Sequence, residues 1–192
     1  FSGDCLRPGG SRKQRPAIEL DIHKTRGTVW HHFEPHHYLK LPPMVAAQHY
    51  VGFVGDEPVA HLAFSCRFDV GPFLRACRLV VMPEWQGVGV GLAFLEECCR
   101  QMTLGNNRWD RPCYTFFHTS HPGLVSALRR RQQKDQSWLH ISASTHGGNK
   151  ASSRRSLKKS AAKGTSTVAT SGYGGHLRAV HGFKYIGKES EK

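Results

Sequence analysis

The chain has 192 residues, with 27 Lys and Arg against 14 Asp and Glu, and a formal net charge of +13. It lacks an apolar run of about 18 residues and a signal-peptide pattern, and its six cysteines do not follow a disulfide framework. These features exclude a membrane span and a secreted disulfide scaffold, predict a cytoplasmic protein with reduced thiols, and favour a polyanionic partner such as nucleic acid over a membrane.

The N-terminal part is predicted to contain a leader, a strand and a short helix. Residues 1–16 combine Gly, Pro, Ser and basic residues, which indicates a flexible leader. Residues 17–22 alternate apolar and polar side chains, as a half-buried strand does. Residues 28–33 predict a short helix capped by Thr28, followed by an irregular segment rich in His and Pro.

The middle of the chain predicts a hairpin, a buried strand and a long helix. Apolar runs at residues 50–54 and 59–65 flank a Gly-Asp-Glu-Pro turn, which indicates two antiparallel strands. Residues 79–82 are a short apolar run rich in valine, as in a buried strand. Apolar residues then follow helical spacing from Val88, and Gly105 is the expected C-terminal cap of that helix.

Three more elements complete the predicted fold. Residues 113–117 indicate a strand, residues 123–131 a helix, and residues 177–187 a final strand. Strands that alternate with amphipathic helices predict an α/β protein with a mixed sheet. The predicted core is therefore residues 17–131, joined by a terminal strand and tail at residues 176–192.

A glycine-rich turn links the strand at residues 79–82 to the long helix. It reads Gln-Gly-Val-Gly-Val-Gly over residues 86–91. Glycines let the backbone approach a ligand, and the first N–H groups of a helix lack intrahelical partners, so the turn suits a phosphate or diphosphate. The dinucleotide fingerprint fails at Leu92 and the Walker loop lacks its Lys, whereas Gln/Arg-x-x-Gly-x-Gly/Ala fits. The alternative is a turn that binds nothing.

This motif, with the Val-x-Pro lead-in at Val81 and Pro83, resembles the main cofactor motif of the GNAT superfamily of acyl-CoA-dependent N-acetyltransferases. Gly182 and Phe183 resemble the Gly-Phe near the end of many such domains. The resemblance implies a mostly antiparallel mixed sheet flanked by helices, and acetyl-CoA or another acyl-CoA as cofactor. It implies that the turn holds the diphosphate and that the strand pairs with the pantetheine arm. The implied cofactor-binding residues are Leu79, Val80, Val81, Gln86, Gly87, Val88, Gly89, Val90 and Gly91.

A narrower resemblance involves the segment after the first strand. The pattern is Trp-x-x-Phe-x-x-His-His-Tyr-Leu, at Trp30, Phe33, His36, His37, Tyr38 and Leu39. It resembles the acetyltransferase-type domain fused to certain ABC-type ATPases, with phage DNA-modification proteins of the Mom type as distant relatives. The resemblance implies an ABC-type ATPase domain as a partner and a nucleic-acid-linked substrate.

Acyl transfer to an amine needs an N–H donor for the oxyanion, which the resemblance places at Val81, and a group that takes a proton. Some GNAT enzymes have a Glu four residues before Leu79, but this chain has Arg75 there, so the base stays unassigned. The candidate catalytic residues are His37, Tyr38, His61 and His118, with His36 and Tyr114 as further alternatives. Zinc binding by His31, His32, His36 and His37 is a weaker hypothesis because partner cysteines are missing, so no metal is expected.

Residues 132–175 depart from this plan, since Ser, Thr, Gly, Ala and basic residues predict a disordered insertion. Between Arg129 and Gly175 the chain has ten Lys or Arg and one acid, Asp135, a net charge of +9 out of +13. A flexible basic arm suits phosphates, and a solvated linker is the alternative. The residues predicted to contact DNA or RNA are Arg129, Arg130, Arg131, Lys150, Arg154, Arg155, Lys158 and Lys159.

Two functions from different classes remain open. The first is an acyl-CoA-dependent N-acyltransferase whose basic arm recruits nucleic acid or a nucleic-acid-bound substrate. The second is a non-catalytic binding module of the same fold within a larger ATPase-linked or nucleic-acid-processing protein.

Overall fold

A computed structural model describes residues 18–38, 44, 46–66, 72–144 and 179–187. They form a seven-stranded sheet with the strand order β1-β2-β3-β4-β5-β7-β6. The strands are β1 (Asp21–Thr25), β2 (Gln48–Val54), β3 (Glu57–Cys66), β4 (Phe73–Val81), β5 (Tyr114–Thr119), β6 (Trp138–Ser144) and β7 (Val180–Tyr185). The helices are α1 (Trp30–Phe33), α2 (Val90–Leu104) and α3 (Pro122–Lys134). Neighbouring strands are antiparallel except β4 and β5, so the predicted α/β fold with a mostly antiparallel sheet is confirmed.

Glycines mark both ends of α2. Gly89 precedes the helix with a φ of 95°, and Gly105 follows it with a φ of 88°, in the left-handed region that glycine adopts most easily. The N–H of Gly105 donates to carbonyl groups of the last helical turn, so the predicted C-terminal cap is confirmed. The apolar side of α2, which includes Phe94 and Cys98, is buried in the larger core cluster.

The two faces of the sheet are covered differently. Apolar residues of α2 and α3 share one core cluster on one face, where Arg131 of α3 also pairs with Glu96 of α2 at 2.8 Å. A smaller cluster around Trp30 and Phe33 packs on the other face, against Val51 and Val80. Among the residues with described positions, no helix is long and apolar enough to cross a membrane.

The predicted basic insertion begins too early. Helix α3 continues to Lys134, and β6 (Trp138–Ser144) is an edge strand of the sheet rather than part of an insertion that starts at residue 132. Trp138 is fully buried and its ring packs edge-on against Tyr185 at 5.1 Å, so this strand belongs to the core. The remainder of the predicted insertion and the predicted leader at residues 1–16 lie outside the described residues.

Several predicted boundaries also move. The first strand lies at residues 21–25, four residues after the predicted start, and β4 begins at Phe73, ahead of the predicted residue 79. A 3₁₀ turn, Gly27–Val29, leads into α1, and no side chain caps either element, so the predicted Thr28 cap is wrong. The first elements follow tertiary packing of Trp30 and Phe33 more than local capping signals.

Candidate functional site

The parallel strands β4 and β5 separate partway along their length. Their pairing runs from Phe73 opposite Tyr114 to Ala76 opposite Phe117, and then stops. Strand β4 continues to Val81 and stays paired with β3 on its other side. Within the described residues, the last part of β4 therefore has an open edge towards β5, which can accept an added extended chain.

Backbone groups at the end of β4 point into this gap. The N–H of Met82 donates to the carbonyl of Val59 on β3, at 2.9 Å. Successive N–H groups along a strand point to opposite sides, so the N–H and carbonyl of Val81 face the gap. The side-chain amide of Gln86 donates to the Val81 carbonyl at 2.9 Å. Gln86 thus ties the glycine turn to the open edge of β4 and leaves the Val81 N–H directed at the gap.

The glycine turn is sterically open. Gly87 and Gly89 have φ values of 80° and 95°, and a Cβ added to either would meet nothing within 4 Å. Gly91 differs, because a Cβ there would lie 2.8 Å from Cγ2 of Val81. Absence of side chains therefore clears a path to the first N–H groups of α2 and lets the helix start close to the end of β4. This geometry suits a diphosphate, and no described side chain blocks the turn at Gly87 or Gly89.

A β-bulge shapes the open edge of β4. Between His61 and Ala63 the register shifts, so that Arg78 and Leu79 on β4 stand opposite Leu62 alone. Arg78 has a φ of 56°, an uncommon conformation for a residue other than glycine. The bulge includes Leu79 and directly precedes Val80 and Val81, and sequence patterns alone did not indicate it.

A buried histidine pair holds this bulge. His61 is fully buried, and its Nδ1 lies 3.2 Å from the Arg78 carbonyl oxygen, while its Nε2 lies 3.1 Å from Nδ1 of His49. Burial lowers the pKa of His61 to about 4, so the ring is neutral near pH 7. The carbonyl can only accept, so His61 donates from Nδ1 and accepts from His49 at Nε2. Both ring nitrogens are therefore engaged in the fold, which favours a structural role for His61 over the predicted catalytic one.

The other candidate catalytic residues lie in two places. His37 packs edge-on against Trp30 at 5.4 Å and contacts the ring of Tyr38, which is largely exposed. The guanidinium of Arg78 lies 4.8 Å from the centre of the Trp30 ring, so this group adjoins the bulge. His118 follows Phe117, the last residue of β5 that pairs with β4, so its backbone stands at the edge of the gap. On the other side of β5 it lies across from Gly182 on β7.

Gly182 has a specific steric role beside His118. A Cβ at Gly182 would lie 3.1 Å from Nε2 of His118 and would also collide with the Ser142 hydroxyl. The missing side chain therefore makes room for the His118 ring, whose Nε2 lies beside Gly182 of β7. This gives a physical reason for a glycine at the first position of the Gly182-Phe183 pair.

The predicted polyanion contacts divide into three groups. Arg129 and Arg130 are exposed on α3, and Arg130 donates to the Ser126 hydroxyl at 2.8 Å. Arg131 forms ion pairs with Glu96 and Asp135, so its charge is engaged within the protein. The other predicted contacts lie outside the described residues: Lys150, Arg154, Arg155, Lys158 and Lys159.

The zinc hypothesis concerned His31, His32, His36 and His37. In the described part of the chain, no group of three or more His, Cys, Asp or Glu side chains is arranged to hold a metal ion.

Comparison with known proteins identifies the fold. No protein-family model and no curated protein matches the sequence. Solved structures do match: the chain aligns over 91% of its length with 98% of the ribosomal-protein-S18-alanine N-acetyltransferase from Escherichia coli, at 10% identity and a TM-score of 0.51. The chain has the GNAT fold.

Two further GNAT-fold structures match at least as well by TM-score. A spermidine/spermine N-acetyltransferase from Vibrio cholerae, in complex with manganese ions, has a TM-score of 0.55 at 8% identity, covering 86% of this chain and 91% of its own. NAA60 of Arabidopsis thaliana, in complex with acetyl-CoA, has a TM-score of 0.54 at 10% identity, covering 87% and 98%. The GNAT fold predicted from residues 79–91 is thus confirmed.

Proposed function

We propose that the protein is an acyl-CoA-dependent N-acyltransferase that transfers an acyl group, most simply acetyl, to an amine. One observation carries the proposal: an open edge of β4 at Leu79, Val80 and Val81 lies next to an unobstructed glycine turn at the start of α2. The edge suits an extended pantetheine arm and the turn suits a diphosphate. The GNAT-fold structure of NAA60 contains acetyl-CoA, which supports the same ligand here.

The residues that would hold the cofactor follow from this arrangement. Backbone N–H groups from Gly87 to Gly91 would bind the diphosphate, and Gln86 keeps the turn attached to β4. A bound acyl-CoA would supply an activated acyl group as a thioester: the C–N bond to the amine would form, the C–S bond would break, and CoA would leave as a thiolate. The N–H of Val81 is directed at the gap and is suited to stabilise a developing oxyanion, which is worth roughly 3 kcal/mol for one good donor.

The attacking amine must lose a proton, which requires a general base close to the β4–β5 gap. His118 is the strongest candidate base because it stands at the edge of the gap, and His37 with Tyr38 forms a second candidate pair beside the bulge. An ordinary histidine titrates near neutral pH and can accept this proton directly or through water. Arg75 occupies the place of the Glu found in some related enzymes and cannot act as a base.

The acceptor proposed here is nucleic acid or a substrate bound to it. The net charge of +13 and the basic residues between Arg129 and Lys159 support attraction to phosphates. The five cysteines with described positions form no disulfides, which fits a reducing compartment such as the cytoplasm.

An acyl-transfer screen tests the proposal. Purified protein would be incubated with acetyl-CoA labelled in the acetyl group and with single-stranded RNA, DNA, polyamines or basic peptides. The proposal predicts label in an amide of one acceptor class, with His118→Ala reducing the rate by about 100-fold or more if it is the base. Absence of both transfer and acetyl-CoA binding would contradict it.

A non-catalytic module is the second candidate function. Arg75 favours it, because an exposed cation replaces the carboxylate base of some related enzymes. In this role the GNAT fold would position a partner such as an ABC-type ATPase domain. The two functions differ in one outcome, since a module would bind acetyl-CoA without turnover or would not bind it.

A further inference from the structure

One region of the sheet carries aromatic and basic side chains on the surface. Phe73 pairs with Tyr114, Arg75 with Phe116, and Phe116 with Lys184, so these five side chains project from the same face of β4, β5 and β7. We call this set the aromatic face. Helices α2 and α3 pack on the opposite face, against Thr115 and Phe117 among others, so the aromatic face points away from them.

The aromatic rings form a contiguous platform. The Phe73 ring lies 6.0 Å from Tyr114 and 5.3 Å from Phe116. Tyr114 is 51% exposed, although it stands in the middle of a sheet. Leu139 of β6 pairs with Lys184 of β7 and extends the exposed apolar surface. Contiguous exposed apolar surface of this kind marks a binding site more often than scattered exposed residues do.

The charge around the platform is positive. Nζ of Lys184 lies 4.0 Å from the centre of the Tyr114 ring, and Arg75 is exposed between Phe73 and the gap. The strands β4, β5, β6 and β7 contain no Asp or Glu within their bounds. Aromatic rings with flanking cations, on strands that contain no carboxylates, complement a chain of stacked bases linked by phosphates.

We propose that the aromatic face binds single-stranded nucleic acid, with bases stacked on Tyr114 and Phe116 and phosphates held by Arg75 and Lys184. A single strand fits better than a duplex, because only unpaired bases can present their faces to a ring. The platform ends where the β4–β5 gap begins, next to His118. This placement rests on the proposed function: if acyl transfer takes place, the acceptor amine is on a base or near one.

Oligonucleotide binding tests the proposal without acetyl-CoA, so its outcome is independent of acyl transfer. The full chain would be titrated into fluorescein-labelled 12-nucleotide RNA, DNA of the same sequence, and the matched duplexes, with anisotropy recorded from 50 to 300 mM salt. The proposal predicts tighter binding of a single strand than of its duplex. The RNA and DNA arms show which sugar the face prefers. Equal affinity for single strands and duplexes at every salt concentration would overturn the proposal.

Variants separate stacking from charge. Tyr114→Ala is expected to weaken single-strand binding about fivefold or more without changing the salt dependence, and Tyr114→Phe to keep it, since stacking needs only the ring. Lys184→Gln is expected to reduce the slope of log K against log salt by about one. Leu104→Ala and Lys24→Gln are matched controls, because both residues are exposed on elements away from this face.

Two results would contradict binding of single strands at the aromatic face. Unchanged affinity in both Tyr114→Ala and Phe116→Leu, with wild-type melting temperatures, would overturn stacking on this platform. A dimer in sedimentation velocity that dissociates in Tyr114→Ala, without loss of oligonucleotide affinity, would make the face a contact between two copies of the chain.

Discussion

Nδ1 of His61 lies 3.2 Å from the carbonyl oxygen of Arg78, at the bulge in β4 that precedes the open edge. This contact joins the centre of β3 to the point where β4 changes direction. Because His61 also accepts from His49, a buried chain of side chains runs from β2 to the edge where the cofactor is proposed to bind. The ring of Phe33 stacks on the ring of His61, with their centres 5.3 Å apart.

Replacing His61 with Phe should separate these roles. The change keeps an aromatic ring against Phe33 but leaves the Arg78 carbonyl and the His49 N–H without their partner, which costs about 1–3 kcal/mol per buried group. We expect a lower free energy of unfolding in urea, and acetyl-CoA affinity reduced by on the order of tenfold because the bulge is no longer fixed. His32→Phe, at an exposed position, is the control. Wild-type affinity in His61→Phe would show that the bulge does not depend on this contact.

The same histidine predicts a pH dependence of stability. Burial lowers the pKa of folded His61 from 6.5 to about 4, and burial also lowers that of His49. Between pH 6.5 and about 4, His61 binds more protons in the unfolded chain than in the folded one. The free energy of unfolding is therefore greatest above pH 6.5 and falls as the pH drops towards 4. His61 alone accounts for up to about 3 kcal/mol over this range.

Urea unfolding at pH 7.5, 6.5, 5.5 and 5.0 measures this effect above the ordinary pKa values of carboxylates. His61→Phe should flatten the dependence, whereas His32→Phe should keep it. A curve in His61→Phe as steep as that of the wild type would contradict the assignment of a buried neutral ring.

Gly91 and Val81 should be energetically coupled. A methyl group at Gly91 would lie 2.8 Å from Cγ2 of Val81, a β-branched side chain that has little rotational freedom. Gly91→Ala is therefore expected to lose about 1–3 kcal/mol from overpacking, partly offset by better helix propensity. In a Val81→Ala background the same change should be neutral or stabilising. A double-mutant cycle on unfolding free energies measures the coupling, and strict additivity would show that the helix start does not press on β4.

The basic segment should set the salt dependence of nucleic-acid binding. Changing Lys150, Arg154, Arg155, Lys158 and Lys159 to Gln removes five charges. If these residues contact phosphates, the slope of log K against log salt should fall by several units, and single-strand preference from the aromatic face should remain. Arg131→Gln is an informative contrast, since its charge pairs with Glu96 and its loss should lower stability more than binding. An unchanged slope in the five-residue variant would make the segment a linker.

Local patterns were sufficient for the parts of the fold that local chemistry determines. The strand, glycine turn and helix at residues 79–104 are continuous in sequence, and glycines with positive φ identify the turn. The Gly105 cap follows from the same kind of signal. The GNAT fold could therefore be predicted from one motif together with the order of the elements.

Long-range contacts decided what local patterns missed. Strand β6 is followed by a stretch rich in Ser, Thr, Gly and basic residues, so composition alone places it in the basic segment, yet Trp138 is buried by packing against Tyr185 and Phe117. Arg78 has a positive φ where its carbonyl contacts His61, a residue 17 positions earlier. His61 was a candidate base in the sequence, and only its burial and two ring contacts assign it to the interior.

The most direct test of the central claim is calorimetric titration of acetyl-CoA into three proteins: wild type, Gly89→Asn and Gly187→Asn. Gly89 and Gly187 have φ values of 95° and 93°, and a Cβ at either meets nothing within 4 Å, so the two substitutions impose similar backbone strain. Asn tolerates positive φ better than most residues, which keeps both variants folded. We predict that the wild type and Gly187→Asn bind acetyl-CoA while Gly89→Asn does not, because its side chain fills the path to the first N–H groups of α2. Equal binding by Gly89→Asn, or no binding by the wild type at millimolar ligand, would contradict a diphosphate site at this turn.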